Sequence, residues 1–173
     1  MALPDYSGLV AGTPITWKNS GGDKVITLTS LANNAAREGD KSATLVDGTL
    51  GMPELLEWRF ETAVGSAATD GRAVELYVGE SSSGTAGTDN PGNLTGADAA
   101  LSNPDELKRQ LYRVGALSLS NARGTNVQKQ RFISYPVCPF AIPLVVNKSG
   151  QALSGTAGNH CIVMTPYYRK LQD

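Results

Sequence analysis

Hydrophobic and polar residues alternate along several short segments of the chain. The clearest is residues 55–64, where Leu56, Trp58 and Phe60 alternate with charged residues. A period of two predicts a β-strand with one buried and one solvated face. Residues 73–79 repeat the pattern, so we expect the two strands to form an antiparallel hairpin with a turn at Asp70 and Gly71.

Short alternating or apolar runs between turn residues predict further strands. They lie at residues 13–18, 24–31, 43–46, 111–119, 127–135, 141–146 and 160–168. Residues 141–146 are continuously apolar, which predicts a strand at the centre of a sheet. Asn103, Pro104 and Glu106 have the spacing of a helix start with a capping box, so we expect a helix of a turn or two there.

The number and spacing of the strands predict the fold class. About eight short strands are typical of an all-β antiparallel β-sandwich, and long connections favour a jelly roll over a simple meander. One or two short helical turns complete the picture. The length of 173 residues favours one domain. We place it at residues 13–173, after an extended N-terminal arm at residues 1–12.

Composition narrows the class of function. The net charge of −1 argues against a nucleic-acid partner. Residues 132–147 form the longest uncharged apolar stretch, but it is too short and too rich in proline to cross a membrane. The first residues lack the pattern of a secretory signal, so we expect folding in a cytoplasm. Cys138 and Cys161 have no metal-ligand spacing; we expect two buried thiols, with a disulfide as the alternative.

Charge is divided along the chain. Residues 1–106 contain 6 basic and 15 acidic residues, whereas residues 107–173 contain 9 basic residues and one acidic residue. One interpretation is that acidic and basic strands interleave in space and neutralise each other. A second is a bipolar surface that meets an acidic partner or a neighbouring copy. The weakest is nucleic-acid binding by dispersed basic residues, namely Lys108, Arg109, Arg113, Arg123, Lys129 and Arg131.

Few groups with catalytic potential stand in a useful arrangement. His160 and Cys161 are adjacent, so in a strand their side chains point to opposite faces and do not form a nucleophile–base pair. Glu57 and Glu61 share a strand face, but Arg59 between them favours an ion-paired surface over a glycosidase carboxylate pair. Aspartates of the loops show no calcium-binding spacing. We therefore expect no enzymatic activity, no catalytic residue, no cofactor and no metal.

Aromatic residues raise the alternative of a carbohydrate-binding module, which needs exposed, coplanar rings. Trp58 is in phase with the apolar face of its strand and is expected in the core. Tyr167 and Tyr168 are adjacent, so one of them should face solvent.

Several segments of turn and strand-start residues resemble small virion structural proteins of tailed bacteriophages. They are DNPGNLTGADAA (residues 89–100), ELKRQL (106–111), VQKQ (127–130), PLVVNKSGQA (143–152) and MTP (164–166). The resemblance spans roughly residues 55–168, about two-thirds of the chain. It implies a non-enzymatic jelly-roll protein on the capsid surface, folded in the host cytoplasm. The role that it favours is a head decoration (cement) protein that stabilises the major capsid protein lattice. A tail, collar or fibre-base component is the nearest alternative, and a carbohydrate- or receptor-binding module is another.

Partners and contact residues follow from this resemblance. We expect binding to the major capsid protein and a homo-oligomer, either a dimer or a trimer, with no membrane or nucleic-acid partner. Residues 3–14 are weakly patterned and are expected to pack on a neighbour as an extended arm. The low-complexity loop at residues 81–92 is the second contact candidate. Candidate contact residues are Leu3, Tyr6, Leu9, Ser82, Thr85, Asn90 and Tyr168.

Overall fold

A computed structural model of the protein describes residues 6–66 and 72–171. These residues form one short α-helix, α1 (Pro104–Leu107), three 3₁₀ helices (Lys108–Gln110, Asn121–Arg123 and Ala157–Asn159) and eleven strands. The strands are β1 (Tyr6–Ala11), β2 (Ile15–Lys18), β3 (Lys24–Val25), β4 (Ala36–Glu38), β5 (Leu55–Thr62), β6 (Ala73–Ser81), β7 (Ala99–Leu101), β8 (Tyr112–Ser118), β9 (Gln128–Ser134), β10 (Phe140–Lys148) and β11 (Cys161–Leu171).

The strands form two sheets with nested pairing. One sheet has the order β3-β2-β11-β5-β9, with β1 also paired to β11, and the other has the order β7-β4-β10-β6-β8. Four antiparallel pairs lie one inside the next: β2 with β11, β4 with β10, β5 with β9, and β6 with β8. This is the topology of a jelly roll. The predicted all-β sandwich is therefore confirmed, and β1, β3 and β7 bring its strand count above the expected eight.

The main hydrophobic core lies between the two sheets. On β5, Leu56, Trp58 and Phe60 point inward, as the alternation predicts. The rings of Trp58 and Trp17 are stacked with their centroids 6.1 Å apart. Leu76 on β6 belongs to the same core from the opposite sheet. Burying a large apolar side chain contributes roughly 1.5–3 kcal/mol, so this face-to-face packing is a main source of stability.

The five-stranded sheet is covered on its outer face as well. Tyr77, Ile142 and Leu144 on that face pack against Leu94 and Leu107, which belong to the long connection between β6 and β8. β10 is buried along nearly its whole length and lies at the centre of its sheet, as its continuous apolar run predicts. The connection between β6 and β8 thus forms a third layer over the sandwich.

The predicted hairpin of residues 55–64 and 73–79 is wrong. β5 pairs with β11 and β9 in one sheet, whereas β6 pairs with β10 and β8 in the other. The expected turn at Asp70 and Gly71 lies outside the described residues. Alternation identifies the buried face of a strand, but it does not identify the sheet that the strand joins.

Other local predictions hold only in part. Residues 24–31 contain the two-residue strand β3, and residues 43–46, all of them described, form no strand. Ile26, Leu28 and Leu45 of these segments are nevertheless buried in irregular structure, whereas Val25 and Val46 are exposed. Helix α1 begins at Pro104 as predicted, but Asn103 makes no side-chain capping hydrogen bond.

The described part of the N-terminal arm is extended and lies on its own chain. β1 pairs antiparallel with the C-terminal half of β11, and the Gly12 amide continues the pairing by donating to the Pro166 carbonyl at 2.8 Å. Because β2 pairs with the N-terminal half of β11, β1 and β2 follow one another along the same strand.

The edge strands β8 and β9 approach each other closely at Gly115. A Cβ atom built at Gly115 would overlap the ring of Phe132 on β9. We expect Gly115→Ala to lower the free energy of unfolding by about 1–3 kcal/mol, as overpacking does. The midpoint of urea unfolding measures the loss.

Two further variants control this prediction. Gly158→Ala should have little effect, since a Cβ there meets no atom within 4 Å. In a Phe132→Leu background Gly115→Ala should cost less, because the smaller side chain leaves room. An equal cost in both backgrounds would contradict the close approach.

Candidate functional site

Charged side chains at the end of β4 and just after it all bind residues 81–98. The first is Arg37, whose Nε and Nη2 donate to the two carboxylate oxygens of Asp98 at 2.6 and 2.7 Å. The amide and hydroxyl of Thr27 donate to the same carboxylate. Burial opposes ionisation of Asp98, but the hydrogen bonds from Arg37 and Thr27 outweigh it and hold the pKa of this carboxyl below its ordinary value.

Two carboxylates continue the set. Glu38 is fully buried, and its carboxylate accepts hydrogen bonds from the amide and hydroxyl of Thr95 and from the amide of Gly96. The Asp40 carboxylate accepts the Asp98 amide at 2.9 Å. Backbone groups of an irregular segment need partners once they leave water, and here the buried Glu38 and the half-buried Asp40 supply them.

Lys41 completes the set from within a cage of oxygen atoms. Its ammonium donates to the Ser81 hydroxyl at 2.9 Å. It also donates to the carbonyls of Ser83, Thr85 and Thr88 at 2.7 to 3.0 Å. Lys41 is only 4% exposed, and burial lowers its pKa while Asp89 opposes that change. The ammonium thus acts as a fixed cation around which the loop after β6 is wrapped.

His160 is a structural residue of the core. It is buried; Nε2 lies 2.8 Å from the Ser154 carbonyl and Nδ1 lies 2.8 Å from the Thr62 hydroxyl. A carbonyl only accepts, so Nε2 carries the proton and Nδ1 accepts from Thr62. Burial lowers the pKa of His160, and the Ser154 carbonyl opposes this change. Both ring nitrogens are therefore used in holding neighbouring elements together.

Both cysteines are free thiols. Cys161 is buried and Cys138 is half-buried, so the expectation of two buried thiols holds only in part. Burial raises the pKa of both groups, which disfavours a reactive thiolate.

Ion pairs join the acidic first part of the chain to the basic second part. On the outer face of the six-stranded sheet, Glu57 lies 2.9 Å from Arg131 and Glu61 lies 3.4 Å from Lys129. Further pairs of this kind are Glu54–Arg169, Glu75–Lys108, Glu75–Arg113 and Asp105–Lys148. Acidic and basic strands interleave, which supports the first interpretation of the charge division and not the bipolar surface.

Glu57 and Glu61 are ion-paired, as Arg59 between them suggested. Arg59 Nε lies 3.0 Å from Glu61, in addition to the contacts of both glutamates with β9. Each carboxylate therefore faces a cation, and the pair forms a salt-bridged surface.

The predicted contact residues lie in different parts of the fold. Leu3 is outside the described residues, Tyr6 begins β1, and Leu9 on β1 is exposed. Ser82 and Thr85 are exposed in the loop that follows β6. β1 pairs with β11 in the six-stranded sheet, whereas this loop follows β6 of the five-stranded sheet.

Two of the predicted contact residues turn inward. The side-chain amide of Asn90 donates to the Leu94 carbonyl at 2.9 Å. Tyr168 is buried, and its hydroxyl donates to the Leu45 carbonyl at 2.8 Å. Tyr167 is the more exposed of the two adjacent tyrosines, and its hydroxyl lies 3.2 Å from Glu57. Tyr168 is therefore not available as a contact on the surface of this chain.

Both tryptophans are fully buried. Trp17 Nε1 donates to the Asp40 carbonyl and Trp58 Nε1 donates to the Ser134 hydroxyl. Trp58 lies in the core as predicted. Neither ring is available as a sugar-binding platform.

An exposed apolar surface that the sequence patterns do not predict lies at the start of β8 and the end of β9. Its large side chains are apolar or aromatic, and the most exposed of them is 81% exposed. The sequence signal for this surface is the segment after β9, which is flanked by prolines, because proline restricts the backbone φ angle. We call this surface the corner patch, and its residues are Tyr112, Ile133, Tyr135 and Val137.

The described residues form several open depressions. Two lie beside α1: one of about 180 Å³, where Leu101, Glu106 and Leu107 are among the lining residues, and one of about 660 Å³, where Asn34, Asp105 and Lys148 are among them. The second has the volume of an ordinary small-molecule site, roughly 300–1,000 Å³, but its lining is mostly polar and it is widely open to solvent. Among the described residues, no group of three or more His, Cys, Asp or Glu residues suits a metal ion. Within the same residues, no helix has the length and apolar character of a membrane span.

Comparison with known proteins gives no match, either to a protein-family model or to a curated protein.

Lys41→Ala tests the oxygen cage. Without the ammonium, the single hydroxyl proton of Ser81 cannot serve both the Ser83 and the Thr88 carbonyl, and the Thr85 carbonyl keeps only the 3.3 Å bond from the Thr88 amide. A buried acceptor without a donor costs about 1–3 kcal/mol, so we expect a loss of at least about 1 kcal/mol in the free energy of unfolding. Residues 82–92 should also become open to limited proteolysis. Ammonium chloride should restore part of the lost thermal stability, because NH₄⁺ fits the vacated place and donates hydrogen bonds.

Tetramethylammonium chloride at equal ionic strength is the matched salt, since it donates none. Lys129→Ala is the matched substitution, because Lys129 is largely exposed. Equal effects of the two salts, or a Lys41→Ala variant as stable as Lys129→Ala, would show that the cage does not hold the loop.

A pH series tests the neutral state of His160. Because the folded pKa is lowered, the unfolded state alone takes up a proton as the pH falls below about 6.5. Stability is therefore complete above that pH and decreases below it. His160→Gln keeps a donor and an acceptor but does not titrate. We expect the urea midpoint of the native protein to fall toward that of His160→Gln between about pH 7 and about pH 5. A constant difference across this range would rule out a neutral, buried His160.

Proposed function

We propose that this chain is a non-enzymatic structural protein of a tailed-bacteriophage virion. In this proposal it folds in the host cytoplasm and binds the major capsid protein lattice as a decoration (cement) protein on the capsid surface. The observation that carries the proposal is the role of the ionisable side chains that could otherwise take part in catalysis. Lys41, Glu38, Asp98 and His160 are all engaged in holding the frame together.

A rigid frame suits this role. A decoration protein gains affinity when its surface is already in the binding conformation, because less conformational entropy is lost on binding. The third layer over the five-stranded sheet and the cage around Lys41 both fix irregular segments of the chain. The resemblance of residues 55–168 to small virion proteins supports the same role.

Self-association is part of the proposal. Capsid lattices present symmetric sites, and a dimer or trimer of this chain would match twofold or threefold positions. A tail, collar or fibre-base position requires the same rigid frame and is the alternative. The buried tryptophans weaken the hypothesis of a carbohydrate-binding module.

The decisive experiment is binding to empty capsid shells that lack this protein. We expect the purified full-length chain to co-sediment with shells and to saturate at a fixed number of copies per capsid protein, as measured by gel densitometry. Bound shells should also resist heat better than bare shells, because a ligand of the assembled state stabilises it.

Purified tails of the same phage are the matched control. Saturable binding to tails and none to shells would replace the decoration role with the tail alternative. Binding to neither particle would overturn the virion proposal.

A further inference from the structure

The corner patch gathers the most exposed large apolar side chains of the described residues at one end of the sandwich. Val137 is 81% exposed and Tyr135 is 70% exposed. Tyr112 lies opposite Val78 on β6, and Glu80, two residues further along β6, binds the Val137 amide. β8 and β9 also approach each other at Gly115 and Phe132. These contacts bring the end of β9 and the segment after it next to the start of β8.

The patch is held rigidly. The Glu80 carboxylate accepts the Val137 amide, and burial raises the pKa of Glu80 while this hydrogen bond opposes the change. Pro136 and Pro139 restrict the backbone on either side of Val137. Large exposed apolar side chains on a fixed backbone lose little entropy when they are covered, which is a property of protein-binding surfaces.

The charges around the patch are unequally exposed. In the pair of Arg131 with Glu57, the arginine side chain is 69% exposed and the glutamate is 26% exposed. In the Lys129–Glu61 and Arg113–Glu75 pairs, too, the basic side chain is more exposed than the acidic one. Each base belongs to an edge strand and each acid to the neighbouring inner strand. At the border of the patch the basic side chain of each of these three pairs is therefore the one that a partner meets first.

We propose that the corner patch is the docking surface for a partner protein that offers an apolar pocket bordered by carboxylates. The inference rests on the proposed function, in which that partner is the major capsid protein. Tyr135 and Val137 enter the pocket, while Arg131 and Lys129 face the carboxylates at its border. Tyrosine and arginine are enriched in such binding centres.

The observations favour this occupant over two others. In a twofold dimer the same patch would meet itself, which would place the basic borders against each other. A nucleic acid would use stacking platforms and free positive charge. Tyr112 and Tyr135 carry rings that could stack, but Ile133 and Val137, the latter the most exposed residue of the patch, carry none and suit an apolar pocket instead.

A paired set of variants in the shell-binding assay tests the patch. Tyr135→Ser combined with Val137→Ser removes the two most exposed side chains, and the folded state should keep its urea midpoint. The control is Val25→Ser, because Val25 is 39% exposed on β3, at the edge of the six-stranded sheet opposite β9. We expect the double variant to bind shells at least about tenfold more weakly than the native chain, as loss of a binding centre does. The control should bind normally, and salt should weaken native binding.

Each other outcome overturns part of the argument. If the native chain and the double variant bind shells equally, the docking surface is wrong and the virion role stands. If the native chain binds no shells, the proposed function fails and this inference fails with it. A dimer that dissociates in the double variant, seen by sedimentation, would make the patch a contact between copies. Patch-dependent binding of single-stranded DNA would make the partner a nucleic acid.

Discussion

The structure depends on the charged side chains that follow β4, because they hold an irregular polar segment over an apolar sheet. The outer face of the five-stranded sheet carries large apolar side chains such as Tyr77, Ile142 and Leu144 and needs a cover. Residues 81–98 have little regular structure, so their backbone groups require partners from elsewhere. Glu38 and Lys41 supply those partners while buried. Burying a charge is costly, and its satisfied hydrogen bonds fix position more than they add stability. The outer face of the sheet is thereby covered by a segment whose own sequence is almost entirely polar.

Nested strand pairing explains the division of charge along the sequence. The sequence changes from mainly acidic to mainly basic after residue 106. This position lies in the connection between β6 and β8, and these two strands form the innermost of the nested pairs. In such a fold each strand after that point lies beside a strand from before it. An acidic first part and a basic second part are therefore brought together strand by strand, as Glu57 with Arg131 and Glu75 with Arg113 illustrate. The division of charge along the chain therefore does not produce one acidic half and one basic half of the molecule.

Local sequence patterns predict individual strands, but they do not predict contacts between residues that are far apart in the sequence. The alternation in β5 and the apolar run in β10 identified both strands and their burial, because each pattern reflects the faces of a single element. The hairpin failed because a pattern within two strands does not specify the sheet of either. The Lys41 cage was missed because its acceptors are mostly backbone carbonyls more than 40 residues away, which leave no mark on composition. The corner patch was missed because alternation loses its meaning where a strand ends.

Net charge is a poor guide to what this molecule offers a partner, because the order of charges within each ion pair decides the outer surface. The long basic side chains stand on the edge strands β8 and β9, and the shorter acidic side chains stand on the inner strands β5 and β6. An edge residue is covered by strands on one side only, so its head group stays in water while the carboxylate is sheltered beneath it. A chain with a net charge of −1 therefore presents a basic border along one edge. Since exposed pairs contribute little to stability, these bases are free to exchange their carboxylate for that of a partner at small cost to the fold.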